Sequence, residues 1–174
     1  MKEMVRYGLI LSLICAAASA SLAAMNSVTK PKIIAQAKAE EEASLKEVLP
    51  LAERFEPVKS GEDVVYYKAY AKDGKFAGAA FKAYGKGYSS VVETMTGLLP
   101  DGSISAIKIV NQNETPGLGA NVIEPSFTGQ FSHKNIPALQ DVQAITGATI
   151  SSKAVIDSVS KRAQEIKELI KNEK

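Results

Sequence analysis

An uncharged apolar segment at the N-terminus limits what this chain can fold into more than any other feature. Residues 7–24 contain no charged side chain, and six Leu and Ile residues supply most of their hydrophobicity. At about 1.5 Å rise per residue, a helix over this segment spans roughly 27 Å, close to the hydrocarbon thickness of a bilayer. The sequence therefore predicts a membrane anchor, and the folded domain has to be built from the residues that follow.

A cleaved signal peptide is the competing interpretation of this segment. Lys2 and Arg6 give it a basic start, and the small residues at 16–21 are typical of a cleavage region. The anchor is favoured because the apolar length suits a full span and the next residues continue a helical pattern. Cys15 is the single cysteine, so neither an internal disulfide nor a thiolate metal cluster is available.

The distribution of charge bears on orientation and on partners. Basic residues lie on both sides of the anchor, so the positive-inside count does not fix its direction. A long domain after one N-terminal span is exported regardless of such charges. We expect the anchor among the lipids of the cytoplasmic (inner) membrane and the C-terminal domain on its extracytoplasmic (periplasmic) side. With 21 Lys and Arg against 19 Asp and Glu and no basic stripe, nucleic acid is not an expected partner.

Hydrophobic spacing in the rest of the chain predicts an α+β fold. Residues 26–49 have a helical pattern that Pro50 ends, so a helical stalk should follow the transmembrane helix. Turn signals such as Asp73-Gly74 separate four β-type runs, at 64–70, 76–84, 88–99 and 103–110. Tight turns favour an antiparallel sheet, here packed with helices. The predicted domains are an anchor (1–25), a helical stalk or linker (26–60) and a folded domain (61–174).

The segment 146–152, with the sequence TGATISS, places a hydroxyl on a small-residue turn before an amphipathic helix. Apolar residues at helical spacing over 155–170 predict a helix that begins near Ser151 or Ser152. The free N–H groups and the dipole of its first turn favour an anion. Thr149 therefore lies where phosphate would bind, although such a residue most often only caps the helix.

The segment 114–119, with the sequence ETPGLG, is a second Gly-rich constellation. Two glycines flank Leu118, and Pro116 stiffens the entry. Such a loop can present backbone N–H groups and one apolar side chain to a flat ligand, although alone it is as well explained by an ordinary turn. Together with 146–152, it would suit a phosphorylated planar cofactor.

These two segments, in this order, resemble the FMN-binding domain shared by two membrane complexes. One source is the G subunit of the Rnf ion-translocating ferredoxin:NAD oxidoreductase, and the other is the C subunit of the sodium-pumping NADH:quinone oxidoreductase. The single N-terminal span and the β-rich middle also match, so the resemblance covers nearly the whole chain. The short length favours the Rnf protein.

The resemblance implies a covalent flavin. In that family the second threonine of [Ser/Thr]-Gly-Ala-Thr carries FMN through a phosphoester bond that a dedicated flavin transferase installs. The matching residue is Thr149, so the chain is expected to be a covalent flavoprotein and, at this residue, a phosphoprotein. The family often has an acidic residue six positions earlier, where this chain has Gln143.

The resemblance also implies the remaining site residues. Thr115 and Leu118 should lie near the isoalloxazine ring. We further hypothesise that Lys153 and the N–H groups of Ser151 and Ser152 offset the phosphodiester charge. The full set expected at the FMN site is Thr149, Glu114, Thr115, Gly117, Leu118, Gly119, Thr146, Gly147, Ala148, Ser151, Ser152 and Lys153.

The implied function is electron transfer, since the flavin supplies the redox chemistry and the protein holds it. We expect a redox subunit of a multi-subunit Rnf-type translocase, not a stand-alone enzyme, with other subunits of the complex as partners. Two alternatives stay open: the equivalent subunit of a sodium-translocating NADH:quinone reductase, and a membrane-tethered binding module in which Thr149 is only a cap. A hydrolase and a multi-histidine metal site are disfavoured because His133 is the single histidine.

Overall fold

The structure is a computed structural model that describes residues 2–61 and 63–171. It divides into two compact units, Met1–Glu41 and Glu42–Lys174. The main elements in chain order are α1 (Lys2–Val48), β1 (Arg54–Ser60), β2 (Asp63–Tyr70), β3 (Phe76–Lys86), β4 (Val91–Leu98), β5 (Ile104–Asn111), α2 (Pro125–Thr128) and α3 (Thr149–Ile170). Short 3-10 helices cover Gly119–Ile123, Gly129–Phe131 and Ile136–Asp141.

The predicted anchor and the predicted start of the stalk form one uninterrupted helix, α1. Pro31 lies inside it, at the expense of a single backbone hydrogen bond. By length and composition this helix is able to cross a membrane. The hydroxyls of Ser12 and Ser21 donate to carbonyls one turn earlier, at 2.8 and 2.9 Å. These two hydroxyls are thus satisfied inside the helix, as a lipid environment requires.

The second unit is built on a five-stranded antiparallel sheet in the order β1-β2-β3-β4-β5. This confirms the predicted antiparallel sheet, and β2 to β5 correspond to the four predicted strands. The sequence analysis missed β1, which lies in the segment assigned to the stalk or linker and pairs with β2. Pro57 explains the omission, because proline weakens a strand pattern and is tolerated on an edge strand such as this one.

Both faces of the sheet carry buried apolar residues. On one face, α3 packs against apolar residues of β3 and β4, which include Phe81, Ala83, Val92 and Leu98. On the other face, the end of α1 and the turn after it contribute Leu45, Val48, Leu49 and Ala52, which pack on Ala69, Ala80 and Met95. Burial of each large aliphatic side chain contributes about 1.5–3 kcal/mol, which is what holds these layers together.

The long connection between β5 and α3 is ordered by its own apolar side chains. Phe127 and Phe131 are fully buried, and their rings meet edge to face with centroids 5.4 Å apart. Both belong to the core on the α3 side, together with Val122 and Leu139. Short helices within the connection hold its two ends in place.

Close approach of α3 to the sheet depends on Gly85 in β3. A Cβ added at Gly85 would overlap the carbonyl oxygen of Ala154 in α3, which is backbone and cannot move aside cheaply. We expect Gly85→Ala to lower the free energy of unfolding by about 1–3 kcal/mol, measured by urea unfolding of the full chain in detergent.

Gly129→Ala is the matched control, since its φ is −63° and nothing lies within 4 Å of an added Cβ. Equal unfolding midpoints for the two variants would contradict the close-packing argument.

Candidate functional site

A cleft of about 420 Å³ lies where the start of α3 meets the loop after β5 and the turn after β3. It brings together the two Gly-rich segments that the sequence analysis singled out. The residues that line it are Tyr88, Glu114, Thr115, Leu118, Gly119, Gly147, Ala148, Thr149, Ile150 and Ser151.

The helix at this cleft starts earlier than the sequence predicted. α3 begins at Thr149, not near Ser151 or Ser152. The chain turns sharply at Gly147, whose φ is 81°, and the N–H group of Ser152 already donates to the Ala148 carbonyl at 2.9 Å. A glycine in the left-handed region completes the turn without strain, so the helix can begin directly after it.

Thr149 does not cap the helix, because it is the first residue inside α3. The capping position is Ala148, whose side chain has no oxygen, and no side chain makes a capping hydrogen bond there. Thr149 is exposed, and its hydroxyl has no hydrogen-bond partner among residues 2–61 and 63–171. By helix geometry the N–H groups of Thr149, Ile150 and Ser151 lack a partner within α3. A free hydroxyl and free N–H groups therefore stand side by side in the cleft.

Glu114 connects the three segments that form the cleft. The residue as a whole is 6% exposed. Oε2 accepts from the Ser151 hydroxyl at 2.6 Å and from the N–H of Tyr88 at 3.1 Å. Oε1 accepts from the N–H groups of Ser89 and Ser90 at 3.0 and 2.8 Å, and from the Ser90 hydroxyl at 3.1 Å. One buried side chain thus joins the turn after β3, its own loop and the start of α3.

These hydrogen bonds keep Glu114 ionised. Burial raises the pKa of the carboxyl, but the hydrogen bonds from Ser151, Ser90, Ser89 and Tyr88 outweigh it and lower the pKa from 4.5 to about 2. Hydrogen bonds to the charged form of a carboxylate favour that form. The cleft therefore carries a fixed negative charge at any neutral or mildly acidic pH.

Two glycines make room for this carboxylate. A Cβ at Gly87 would lie 2.6 Å from Oε1 of Glu114, and one at Gly119 would lie 2.6 Å from Oγ of Ser151. Both are shorter than real Cβ contacts allow. The second glycine of the ETPGLG segment is thus required by close packing, and the first, Gly117, by its φ of 74°.

Four of the predicted site residues do not line the cleft. Thr146 and Gly117 are exposed, and Lys153 is exposed on α3 one turn after Thr149. Ser152 is fully buried; its hydroxyl oxygen accepts from the N–H of Ile145 at 3.0 Å. The N–H of Ser152 donates to the Ala148 carbonyl, so of the two N–H groups expected to face a phosphodiester, that of Ser151 is the one without a partner inside α3.

Two residues of the cleft are not in the set expected at the FMN site. Tyr88 was assigned to a strand, but it lies in the turn after β3 and is 74% exposed. Ile150, next to Thr149, is 54% exposed. With Leu118, they form a group of exposed apolar side chains around one cleft. The one sequence signal for Tyr88 is an aromatic residue directly after a glycine in a polar turn.

Comparison with known proteins identifies relatives along almost the whole chain. Family profiles described as the RnfG N-terminal region and the FMN-binding domain match residues 1–48 and 87–164. The G subunit of an ion-translocating oxidoreductase complex from Methanosarcina acetivorans is 34% identical, over 91% of this chain and 92% of that protein. The G subunit of the Na⁺-translocating ferredoxin:NAD⁺ oxidoreductase complex of Acetobacterium woodii is 33% identical, over 98% and 95%.

A third relative is also named as the G subunit of such a complex. The G subunit of the proton-translocating ferredoxin:NAD⁺ oxidoreductase complex of Clostridium ljungdahlii is 32% identical, over 90% of this chain and 88% of that protein. The chain belongs to the RnfG family. The resemblance seen in the two Gly-rich segments is thereby confirmed, and the residues matched by the FMN-binding domain include every residue that lines the cleft.

A solved structure supports the fold of this domain. The C subunit of a Na⁺-translocating NADH-quinone reductase from Parabacteroides distasonis superposes with a TM-score of 0.52 and 22% identity, over 74% of this chain and 82% of that one. This likeness confirms the predicted architecture, an antiparallel sheet packed with helices.

The groups in the cleft fit FMN. A free hydroxyl and the free N–H groups at the start of α3 suit a phosphate, which helix N-termini favour. Leu118 is 48% exposed. A Cβ added at Gly147 would lie 3.4 Å from the Leu118 side chain, so a residue larger than glycine at position 147 would crowd Leu118. Together with Tyr88 it offers apolar surface to a flat ring.

The ionisation of Glu114 should appear in the pH dependence of stability. Because its pKa is lower in the folded chain, Glu114 stabilises the fold above pH 4.5, and this contribution is lost as the pH falls towards 2. Glu114→Gln should lower the free energy of unfolding at neutral pH by about 1–3 kcal/mol, through donors left unsatisfied, and weaken the acid dependence. Urea unfolding at a series of pH values measures both.

Glu124→Gln is the control for loss of one charge, since Glu124 is exposed and makes no capping hydrogen bond at α2. Unfolding curves for Glu114→Gln that follow the wild type at every pH would show that the network contributes nothing.

Proposed function

We propose that this protein is the FMN-carrying electron-transfer subunit of an Rnf-type ion-translocating ferredoxin:NAD oxidoreductase, with FMN joined through its phosphate to the Thr149 hydroxyl. The observation that carries the proposal is the exposed hydroxyl of Thr149 at the first residue of α3, within the region that matches the FMN-binding domain. This hydroxyl has no hydrogen-bond partner in the part of the chain that the structure describes. The relatives named above as subunits of ferredoxin:NAD⁺ oxidoreductase complexes support the assignment to a complex.

Each part of the cleft has a role in this proposal. The hydroxyl oxygen of Thr149 attacks the phosphorus of a flavin dinucleotide supplied with the transferase; the bond from that phosphorus to the nucleotide monophosphate breaks, and the hydroxyl proton leaves with the monophosphate. The N–H groups at the start of α3 stabilise the charge of the phosphodiester that forms. Leu118 and Tyr88 provide apolar contact for the ring. Glu114 holds these parts in register through its hydrogen bonds. When bound, the flavin supplies the electron-transfer chemistry, while the protein binds it and tunes its potential.

A covalent link agrees with the shape and place of the site. The lining residues include no basic side chain to hold a free phosphate. If the domain lies outside the cytoplasm, FMN lost from it would not be replenished, so a permanent bond preserves function. Attachment requires a flavin transferase that meets the exposed turn 146–149 before or after folding.

The apolar helix α1 and the membrane complexes named for the relatives support membrane association. We propose that α1 is retained as a single-pass anchor and that the C-terminal domain faces the extracytoplasmic side. In this arrangement the charged start of α1, with Lys2 and Arg6, stays in the cytoplasm.

Substitution of Thr149 tests the attachment site. In cells that contain the flavin transferase, the wild-type protein should gain the mass of FMN less one water, measured on the intact protein by mass spectrometry. Thr149→Val should gain no mass, because valine has nearly the same shape as threonine but no hydroxyl that could form the ester.

Ser126→Ala is the control, since it removes an exposed hydroxyl of the same domain outside the cleft and should leave attachment intact. An unmodified wild-type mass, or flavin retained in Thr149→Val, would rule out attachment through Thr149.

Thiol labelling tests the orientation. In a Cys15→Ser background, Ser126→Cys lies on the exposed helix α2 and should react with a membrane-impermeant maleimide in intact spheroplasts. Glu3→Cys should react only after the membrane is permeabilised. The reverse pattern would place the domain in the cytoplasm.

A further inference from the structure

We propose that the ionised carboxylate of Glu114 makes this cleft selective for a flavin phosphodiester over a free flavin phosphate. Glu114 then does more than hold the cleft together: it determines which phosphate species the cleft retains. This inference rests on the proposed FMN function and deepens it.

The charge of Glu114 is not neutralised by a cation. All its hydrogen-bond donors are neutral: three backbone N–H groups and the hydroxyls of Ser90 and Ser151. Within residues 2–61 and 63–171, no Lys, Arg or His forms an ion pair with it. Glu114 is also the one charged residue among those that line the cleft. Lys153, the basic residue nearest to Thr149 along α3, does not line it. The site is thus anionic before any flavin arrives.

Such a site distinguishes phosphates by charge. A phosphate monoester has a second pKa near 6 and is largely a dianion at neutral pH, whereas a phosphodiester is a monoanion. The dipole at the start of α3 is equivalent to only about half a positive charge, enough to favour one negative charge but not two next to a carboxylate. With an effective dielectric constant of about 20, an added negative charge within roughly 10 Å of a carboxylate weakens binding by about tenfold or more.

The buried position of Glu114 makes this penalty permanent. Surface charges are screened by salt, but the carboxylate of a residue that is 6% exposed is screened much less. Its hydrogen bonds also prevent it from turning away to solvent. Free FMN is therefore held weakly, and formation of the ester at Thr149, which leaves the phosphate with one charge, removes the excess repulsion.

A series of flavins of different charge tests this with Glu114 in place. The protein is the full chain with Thr149→Val, made without flavin transferase and kept in detergent, and binding is followed by flavin fluorescence. The ligands are riboflavin, its cyclic phosphodiester and FMN. We expect FMN to bind about tenfold more weakly than the cyclic phosphodiester. FMN affinity equal to or above that of the diester overturns the proposal.

Glu114→Gln in the same Thr149→Val background gives the second test. FMN affinity should rise about tenfold, while riboflavin affinity stays unchanged because riboflavin has no phosphate. Glu124→Gln removes one charge from an exposed position of the same domain and should change neither the FMN affinity nor the riboflavin affinity. An equal change in FMN affinity and riboflavin affinity would show a structural effect and overturn the proposal. An FMN affinity that does not change in Glu114→Gln, or FMN binding too weak to detect in that variant, would also overturn it.

Two further points keep the result decisive. If Glu114→Gln fails to fold, as judged by circular dichroism, the flavin series decides alone. Failure of the proposed function is seen separately, as absence of the FMN mass on wild-type protein in cells with the transferase. The titrations involve no transferase, so the two failures cannot be confused.

Discussion

The hydrogen bonds of Glu114 are the interaction on which the site depends. A carboxylate excluded from water must be fully bonded or it destabilises the fold, and here five donors from two separate parts of the chain surround it. The same bonds fix the distance between the turn after β3 and the start of α3. Loss of one donor therefore disturbs both stability and the shape of the cleft. The stability of the domain and the shape of the cleft therefore both depend on the Glu114 side chain.

Close packing makes that interaction possible. Gly87 and Gly119 leave space for the carboxylate and for the Ser151 hydroxyl, and Gly85 lets α3 lie directly on β3. The helix that carries Thr149 is thus supported by the sheet along its length, with Val155, Val159 and Ala163 fully buried beneath it. A rigid support of this kind holds the first turn of α3 in place, which is what a cofactor attached at one end requires.

The charge of the cleft is consistent with the covalent attachment proposed above. The lining residues provide N–H groups, hydroxyls, apolar side chains and one carboxylate, and no basic side chain. Proteins that bind free phosphate commonly use Arg or Lys, which add strong charge-assisted bonds. A tethered cofactor does not need such bonds in order to stay. In the proposed arrangement, the helix α1 keeps the domain, and with it the flavin, at the membrane.

The sequence by itself determined the periodic and local features. The charge-free run 7–24, the turn signals between strands and the two Gly-rich segments are read from neighbours in the chain, and they predicted the anchor helix, four of the five strands and the cofactor class. Tertiary structure decided what depends on distant residues. The strand that contains Pro57 has no pattern of its own and forms because β2 pairs with it. Glu114 meets Ser151 only because the connection between them folds on Phe127 and Phe131. Burial and charge compensation are properties of such contacts, so the role of Glu114 could not be read from its position in the sequence.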